Sequence, residues 1–281
     1  MDIAPAVQLA CLLEASAPKP GNVSPGRHFT DLRYEDFLAS AAAIGAPFAG
    51  VGDRPLGQTI RLAVEATSRW VRTNTNLGIV LLLAPLARAA SISDPGNRGL
   101  QTLLKRVLEA TTVEDAQDVY AAIRLASPGG LGSAPEQDVA AAPTQTLLDV
   151  MCLAADRDSI AREYATGFAT TFEQGAPTLA AARRDGLSWD DAVVETFLTL
   201  LAAHPDTHVA RRSGAETAAH VSALAQGALG AGGVRSAKGR EAIENMDASL
   251  RDDRHSANPG TTADLTAAAI FVVLSRGGWG R

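Results

Sequence analysis

Five short polar segments interrupt an otherwise Ala- and Leu-rich chain of 281 residues, and they carry the residue types suited to chemistry. They read Lys19-Pro20-Gly21-Asn22-Val23, His28-Phe29-Thr30-Asp31, Asn74-Thr75-Asn76-Leu77-Gly78, Pro205-Asp206-Thr207-His208 and Asn258-Pro259-Gly260-Thr261-Thr262-Ala263-Asp264. Each lies where one apolar periodic stretch ends or the next begins, which places it at a helix end. Helix N-termini present unpaired N–H groups and a partial positive charge, so they suit phosphate. Asp oxygens suit a hard cation such as Mg²⁺. Together the segments point to a site for a metal–polyphosphate.

Each segment also has a plainer explanation. Lys19-Pro20-Gly21-Asn22 has the pattern of a helix stop and turn, against which stands a lysine ammonium beside turn amides, placed to bind phosphate. Asp31 can cap the helix that begins near Tyr34. As a functional group it holds a metal or acts as a base, and His28 beside it is a surface or packed imidazole unless it is a ligand. Capping accounts for one of Asn74, Thr75 and Asn76 but not for all three, so the segment can line a pocket. Asp206, followed by Arg211 and Arg212, can hold Mg²⁺ and a triphosphate together, because arginine grips phosphate oxygens in pairs. The alternative is a solvated loop. Thr261 and Asp264 have capping-box spacing, yet Asp264 then sits one turn inside an apolar helix, a costly place for an unpaired charge. Glu163, in Arg162-Glu163-Tyr164, reads as a surface residue.

The elements that must position these segments are helices. Apolar residues recur at helical spacing nearly everywhere and strict alternation is almost absent, which predicts an all-α chain. Helices are expected near 3–16, 33–45, 55–72, 76–91, 97–110, 114–126, 144–155, 158–183, 189–203, 214–229, 236–252 and 262–275. Thr112 with Asp115, and Ser188 with Asp191, carry capping-box spacing. The segment from Ser127 to Pro135, rich in Gly and Pro, is the best candidate for a linker between halves. Polar segments lie on both sides of it, so one compact helical domain over residues 1–281 is the expectation.

Composition narrows the class. Apolar residues make up 46% and charged residues 20%, as in an ordinary globular protein. A net charge of −6 argues against general nucleic-acid binding. Cys11 and Cys152 sit in apolar helical contexts and read as buried thiols, which fits a reducing cytoplasm. The start of the chain lacks the positive region of a signal peptide. The run Leu77–Leu86 is too short to span a bilayer, so no membrane role is expected. Walker A, G-x-G-x-x-G, C-x-x-C, H-E-x-x-H and G-x-S-x-G patterns are all missing, which removes P-loop, Rossmann, zinc and serine-hydrolase readings.

Taken together and in this order, the segments resemble the triphosphoribosyl-dephospho-CoA synthase family, whose product is the precursor of the prosthetic group of citrate lyase and malonate decarboxylase acyl carrier proteins. A Lys-Pro-Gly turn followed by His and Asp matches Lys19-Pro20-Gly21, His28 and Asp31. Asn-Thr-His-Lys-Gly matches Asn74-Thr75-Asn76-Leu77-Gly78, and an Arg-Gly-Glu-like element resembles Arg162-Glu163. Asp-Thr-Asn followed by Arg resembles Asp206-Thr207-His208 with Arg211 or Arg212, and Ser-Pro-Gly-Gly-Ser-Ala-Asp-Leu resembles Asn258 through Leu265. One departure stands out: Asn76 and Leu77 replace the family's His and Lys.

The resemblance implies transfer of the triphosphoribosyl group of ATP to a ribose hydroxyl of dephospho-CoA, with release of adenine. On that reading Lys19, Arg211 and Arg212 hold the triphosphate. Asp206 and Asp264 bind Mg²⁺, and Asp31 completes the metal site or acts as base. Asn22, His28, Asn74, Thr75, Asn76, Thr261 and Thr262 contact the nucleotide. The partners are small molecules, and the oligomeric state stays open, a homodimer included. The departure at Asn76 and Leu77 suggests a divergent branch that serves another cofactor, such as a one-carbon carrier of the methanofuran or pterin type. A ligase, a phosphotransferase or a non-catalytic nucleotide-binding protein are the further alternatives.

Overall fold

Helices form wherever apolar residues recur at three- and four-residue spacing. The computed structural model describes residues 2–130, 132–251 and 255–280, and it contains no β-strand among them. An isolated bridge pairs Ser24 with Arg27. The chain divides into two compact units, residues 1–11 with 36–169 and residues 12–35 with 170–281. The break comes at Ala169 and Thr170. The Gly- and Pro-rich segment 127–135, the candidate linker, therefore lies inside the first unit.

In the first unit the helix Leu77–Ser91 is apolar around its whole circumference and is buried along most of its length, as an all-round apolar helix must be. Helix Leu56–Ser68 packs beside it, and Val113–Ala126 packs closely against Leu56–Ser68. Their approach depends on Gly57, where a Cβ would collide with the backbone of Asp115. The Thr112–Asp115 capping box forms as expected. The same Asp115 carboxylate also accepts from Gly57 N–H at 2.7 Å, so one side chain caps two helices.

In the second unit the helix Gly260–Ser275 is the buried element, with Trp189–Ala203 and Ala176–Arg184 against it. Small residues set the spacing: a Cβ on Gly175 would stand 2.9 Å from Ala269 Cβ. Ser188 caps Trp189–Ala203, but the reciprocal half of its expected box is absent from the observed contacts. Asp191 instead pairs with Arg240 at 2.9 Å.

Three expectations change. The single helix expected over 158–183 is broken into Ser159–Thr166, a π-helical turn Thr170–Gly175 and Ala176–Arg184. Gly167 ends the first piece in the left-handed region at φ 64°, and Phe168 follows it there at φ 62°. Glu163 is fully buried, not a surface residue, because its helix turns that face inward together with Tyr164. Cys11 is buried as expected, whereas Cys152 is exposed on the short helix Leu147–Ala154. No helix among the described residues is long and apolar enough to cross a membrane.

Candidate functional site

Four of the five polar segments gather in the second unit. The Lys19-Pro20-Gly21 turn needs glycine twice over. Gly21 has φ +77°, and a Cβ there would stand 3.0 Å from both Leu250 Cδ1 and Pro259 Cδ. The first segment is thereby seated on the last, and Asn22 Nδ2–H donates to Asn258 Oδ1 at 2.6 Å. From the helix Ala237–Leu250, Asp247 holds the turn: its carboxylate accepts from Gly21 N–H (2.8 Å), Arg27 (3.0 Å) and two nitrogens of Arg251 (2.9 Å each).

Lys19, expected to meet phosphate, is turned inward. It is 1% exposed and Glu14 is 3% exposed, and their side chains pair at 2.9 Å. The ammonium also donates to the carbonyls of Glu14 and Ala17, which uses its three N–H groups. As the geometry stands, this lysine fastens the end of the first helix and has no donor left for a triphosphate.

Asp206 joins two further segments. It caps the helix Thr207–Ser213 through Val209 N–H at 3.0 Å, and its other oxygen accepts from Thr262 N–H and Thr262 Oγ1–H at 2.7 Å each. The amide of His208 is a fourth donor. With the side chain 2% exposed, burial pushes this carboxyl above the ordinary carboxylate range, while the four donors oppose the shift. Thr207 Oγ1–H donates to Thr261 Oγ1 at 3.3 Å. The expected Thr261–Asp264 capping box does not form, because the helix begins at Gly260 and both residues lie inside it. Asp206 does the capping from another helix, and Asp264 sits half-buried one turn in. On Thr207–Ser213, Arg211 is half-buried and Arg212 is exposed.

The His28–Asp31 segment meets the other side of the turn. Asp31 is 64% exposed, and its Oδ1 lies 3.3 Å from Nε2 of His255. The His255 ring stacks on Phe29 with centroids 3.8 Å apart, and the Arg251 guanidinium lies over the same phenyl ring at 5.5 Å. His28 is exposed and its Nδ1 accepts weakly from Tyr34 N–H at 3.4 Å.

The sequence model of the ATP:dephospho-CoA triphosphoribosyl transferase family matches residues 1–281. The chain belongs to this family. It is 28% identical over 279 residues to the "Probable 2-(5''-triphosphoribosyl)-3'-dephosphocoenzyme-A synthase" of Pseudomonas syringae pv. tomato, an alignment that covers 91% of this chain and 84% of that one. The Stutzerimonas stutzeri protein of the same name is 36% identical over 113 residues, a match that spans 40% of this chain and 38% of the relative. A crystal structure of an Archaeoglobus fulgidus protein named for the same synthase superposes with TM-score 0.67 at 30% identity, covering 85% of this chain and 99% of that one.

Within this family member the fifth segment, Asn74–Gly78, belongs to the first unit. Asn74 is exposed and its carboxamide accepts from Leu77 N–H at 3.0 Å, which satisfies the first amide of the apolar helix from outside the N-cap position held by Asn76. Thr75 is buried 2.5 Å from Ser40 Oγ, and the buried Asn76 donates to Thr67 Oγ1 at 3.0 Å. Leu77 is buried as well, so this position places an apolar side chain in the core of the first unit.

The three candidate metal ligands fare unequally. A carboxylate has about four acceptor positions, and those of Asp206 are met by four protein donors. It does not fit a metal. Among the described residues no group of three or more His, Cys, Asp or Glu is arranged to hold one. Sequence reasoning missed Glu14, Asp247, Arg251 and His255. Glu14 and Asp247 sit inside helices, where charged residues ordinarily face solvent, Arg251 follows the end of the second of these helices, and only an i, i+4 spacing of Asp247 and Arg251 hinted at a pair.

Proposed function

We infer that this chain transfers the triphosphoribosyl group of ATP to dephospho-CoA and releases adenine. The observation that carries the reading is the family match over all 281 residues. We propose that residues 1–281 act as one functional domain, since the match runs through both units.

The chemistry asks for a held triphosphate, for stabilisation of positive charge at the anomeric carbon, and for removal of the hydroxyl proton of the acceptor. Arg211 and Arg212 are the residues we assign to the triphosphate, Lys19 being spent on Glu14. Mg²⁺ arrives with ATP as part of the substrate and needs only one or two carboxylates beside the phosphates. Asp264 is the one we assign to it, with Asp206 withdrawn from that role. Asp31, exposed and next to His255, is the group we assign to proton removal.

The test is incubation with Mg-ATP and dephospho-CoA, with adenine and the coupled product followed by mass spectrometry. Formation of triphosphoribosyl-dephospho-CoA with one adenine per turnover is the expected result. ADP or AMP in place of adenine, or turnover only with a different acceptor, would reject it. Arg211→Ala and Arg212→Ala should each weaken ATP binding about tenfold or more.

A further inference from the structure

The contacts around the Lys19-Pro20-Gly21 turn leave a group of polar atoms unspent. Asn22 Oδ1, Ser24 Oγ, Arg251 Nη1 and His255 Nδ1 are each shut off from solvent and have no hydrogen-bond partner among the described residues. They form one connected set. Arg251 donates to the Asn22 carbonyl at 2.6 Å, lies over Phe29, and Phe29 stacks on His255. Ser24 is tied to the same turn through its backbone bridge to Arg27. A buried polar group without a partner is costly, and a ligand that met these groups on neighbouring residues would relieve that cost. His255 also takes a left-handed backbone, φ 51°, a conformation that is held only where the surroundings enforce it.

Charge decides what that partner is. Arg251 and Arg27 both lean on Asp247, and Arg27 reaches Glu244 as well, so among the described residues the two guanidinium charges are balanced by two carboxylates. Asp31 adds a further negative charge beside His255. Such a cluster does not attract a phosphate. It suits an uncharged group that offers donors and acceptors side by side: Asn22 Oδ1 can only accept, Arg251 Nη1 can only donate, and the Ser24 hydroxyl does either. The edge of adenine has that pattern, an exocyclic amine next to ring nitrogens. In hypoxanthine a carbonyl replaces the amine and would face Asn22 Oδ1, acceptor against acceptor.

We propose that Asn22, Ser24, Arg251 and His255 form an adenine-recognising subsite. The proposal rests on the transferase reading above, under which two substrates carry adenine, ATP and dephospho-CoA.

Equilibrium binding of the full chain to ATP, ITP, dephospho-CoA and the hypoxanthine analogue of dephospho-CoA tests it. One adenine ligand should bind about tenfold or more tightly than its hypoxanthine counterpart, the loss expected for one buried hydrogen bond turned repulsive. The pair that shows the difference identifies the substrate whose base is read. Asn22→Ala should abolish the discrimination. Ser24→Ala removes an unpartnered buried hydroxyl, so it should leave the melting temperature of the unliganded protein unchanged or higher while weakening the adenine ligand about threefold to tenfold. Equal binding of both members of each pair, or discrimination that survives Asn22→Ala, overturns the subsite. Continued adenine release in that case leaves the transferase reading intact, whereas no binding of either substrate removes both.

Discussion

Thr262 donates both its backbone N–H and its hydroxyl hydrogen to Oδ2 of Asp206, each at 2.7 Å, although the two residues are 56 positions apart. Through its other oxygen the same carboxylate caps its own helix at Val209. One buried side chain thus ties the starts of the helix that carries Arg211 and Arg212 and the helix that carries Asp264.

Asp206→Ala should therefore behave as a folding variant. It strands four buried donors, and a loss of roughly 3 kcal/mol is expected from the unpaired groups and the lost helix cap. Asp206→Asn should also lose stability, because its amide turns an NH₂ toward groups that donate. Urea denaturation checks both, and a wild-type midpoint for either would remove the clamp.

The pH dependence of the clamp has a definite sign. Burial raises the Asp206 carboxyl in the folded state, so the native protein keeps this proton to higher pH than the unfolded chain does. Between the two pKa values unfolding releases a proton, and the contribution of Asp206 to stability falls as pH rises. It is fully present below the ordinary carboxylate range and lost in the window above it. The stability gap between wild type and Asp206→Asn should narrow as denaturation is repeated from about pH 4 upward; a gap that widens over that range would contradict the assignment.

The buried Lys19–Glu14 pair calls for a paired experiment. Lys19→Met alone leaves a buried carboxylate without its cation and should cost roughly 3–5 kcal/mol. Adding Glu14→Leu should restore most of the loss, since an apolar pair of similar volume often replaces a buried ion pair. If Lys19 only fastens the helix end, the double variant keeps its ATP affinity. A tenfold loss of ATP binding in a folded double variant would return Lys19 to the phosphate site.

Gly21→Ala places a Cβ at 3.0 Å from Leu250 Cδ1 and Pro259 Cδ in a residue with φ +77°. Strain in the left-handed region alone costs about 1–2 kcal/mol. The expected result is a destabilised protein in thermal melts, with Asn22 and Asn258 no longer in register. An unchanged melting temperature would show that the turn is free to move.

Much of the architecture was legible from neighbouring residues. The Thr112–Asp115 box forms because both partners lie within one helical turn, and the start of the Leu77–Ser91 helix shows in Asn74, three residues before the amide it satisfies. The order of the polar segments was enough to indicate the family. The broken helix at Gly167 was less legible, since the apolar spacing of 158–183 continues through a residue whose left-handed conformation only the packed chain reveals.

What the sequence alone determined is the helical class, the positions of most turns and the types of side chain placed at the helix ends. All of these follow from interactions within a few residues along the chain. Tertiary structure alone decided that Asp206 would spend its acceptors on Thr262 and that Asp247 and Arg251 would close on the Gly21 turn. It also brought His255 against Phe29 and Asp31. Apolar periodicity shows which face of a helix must be covered but carries no record of what covers it. The use of each charged group is settled only when the partner's donors or acceptors arrive from a distant part of the chain.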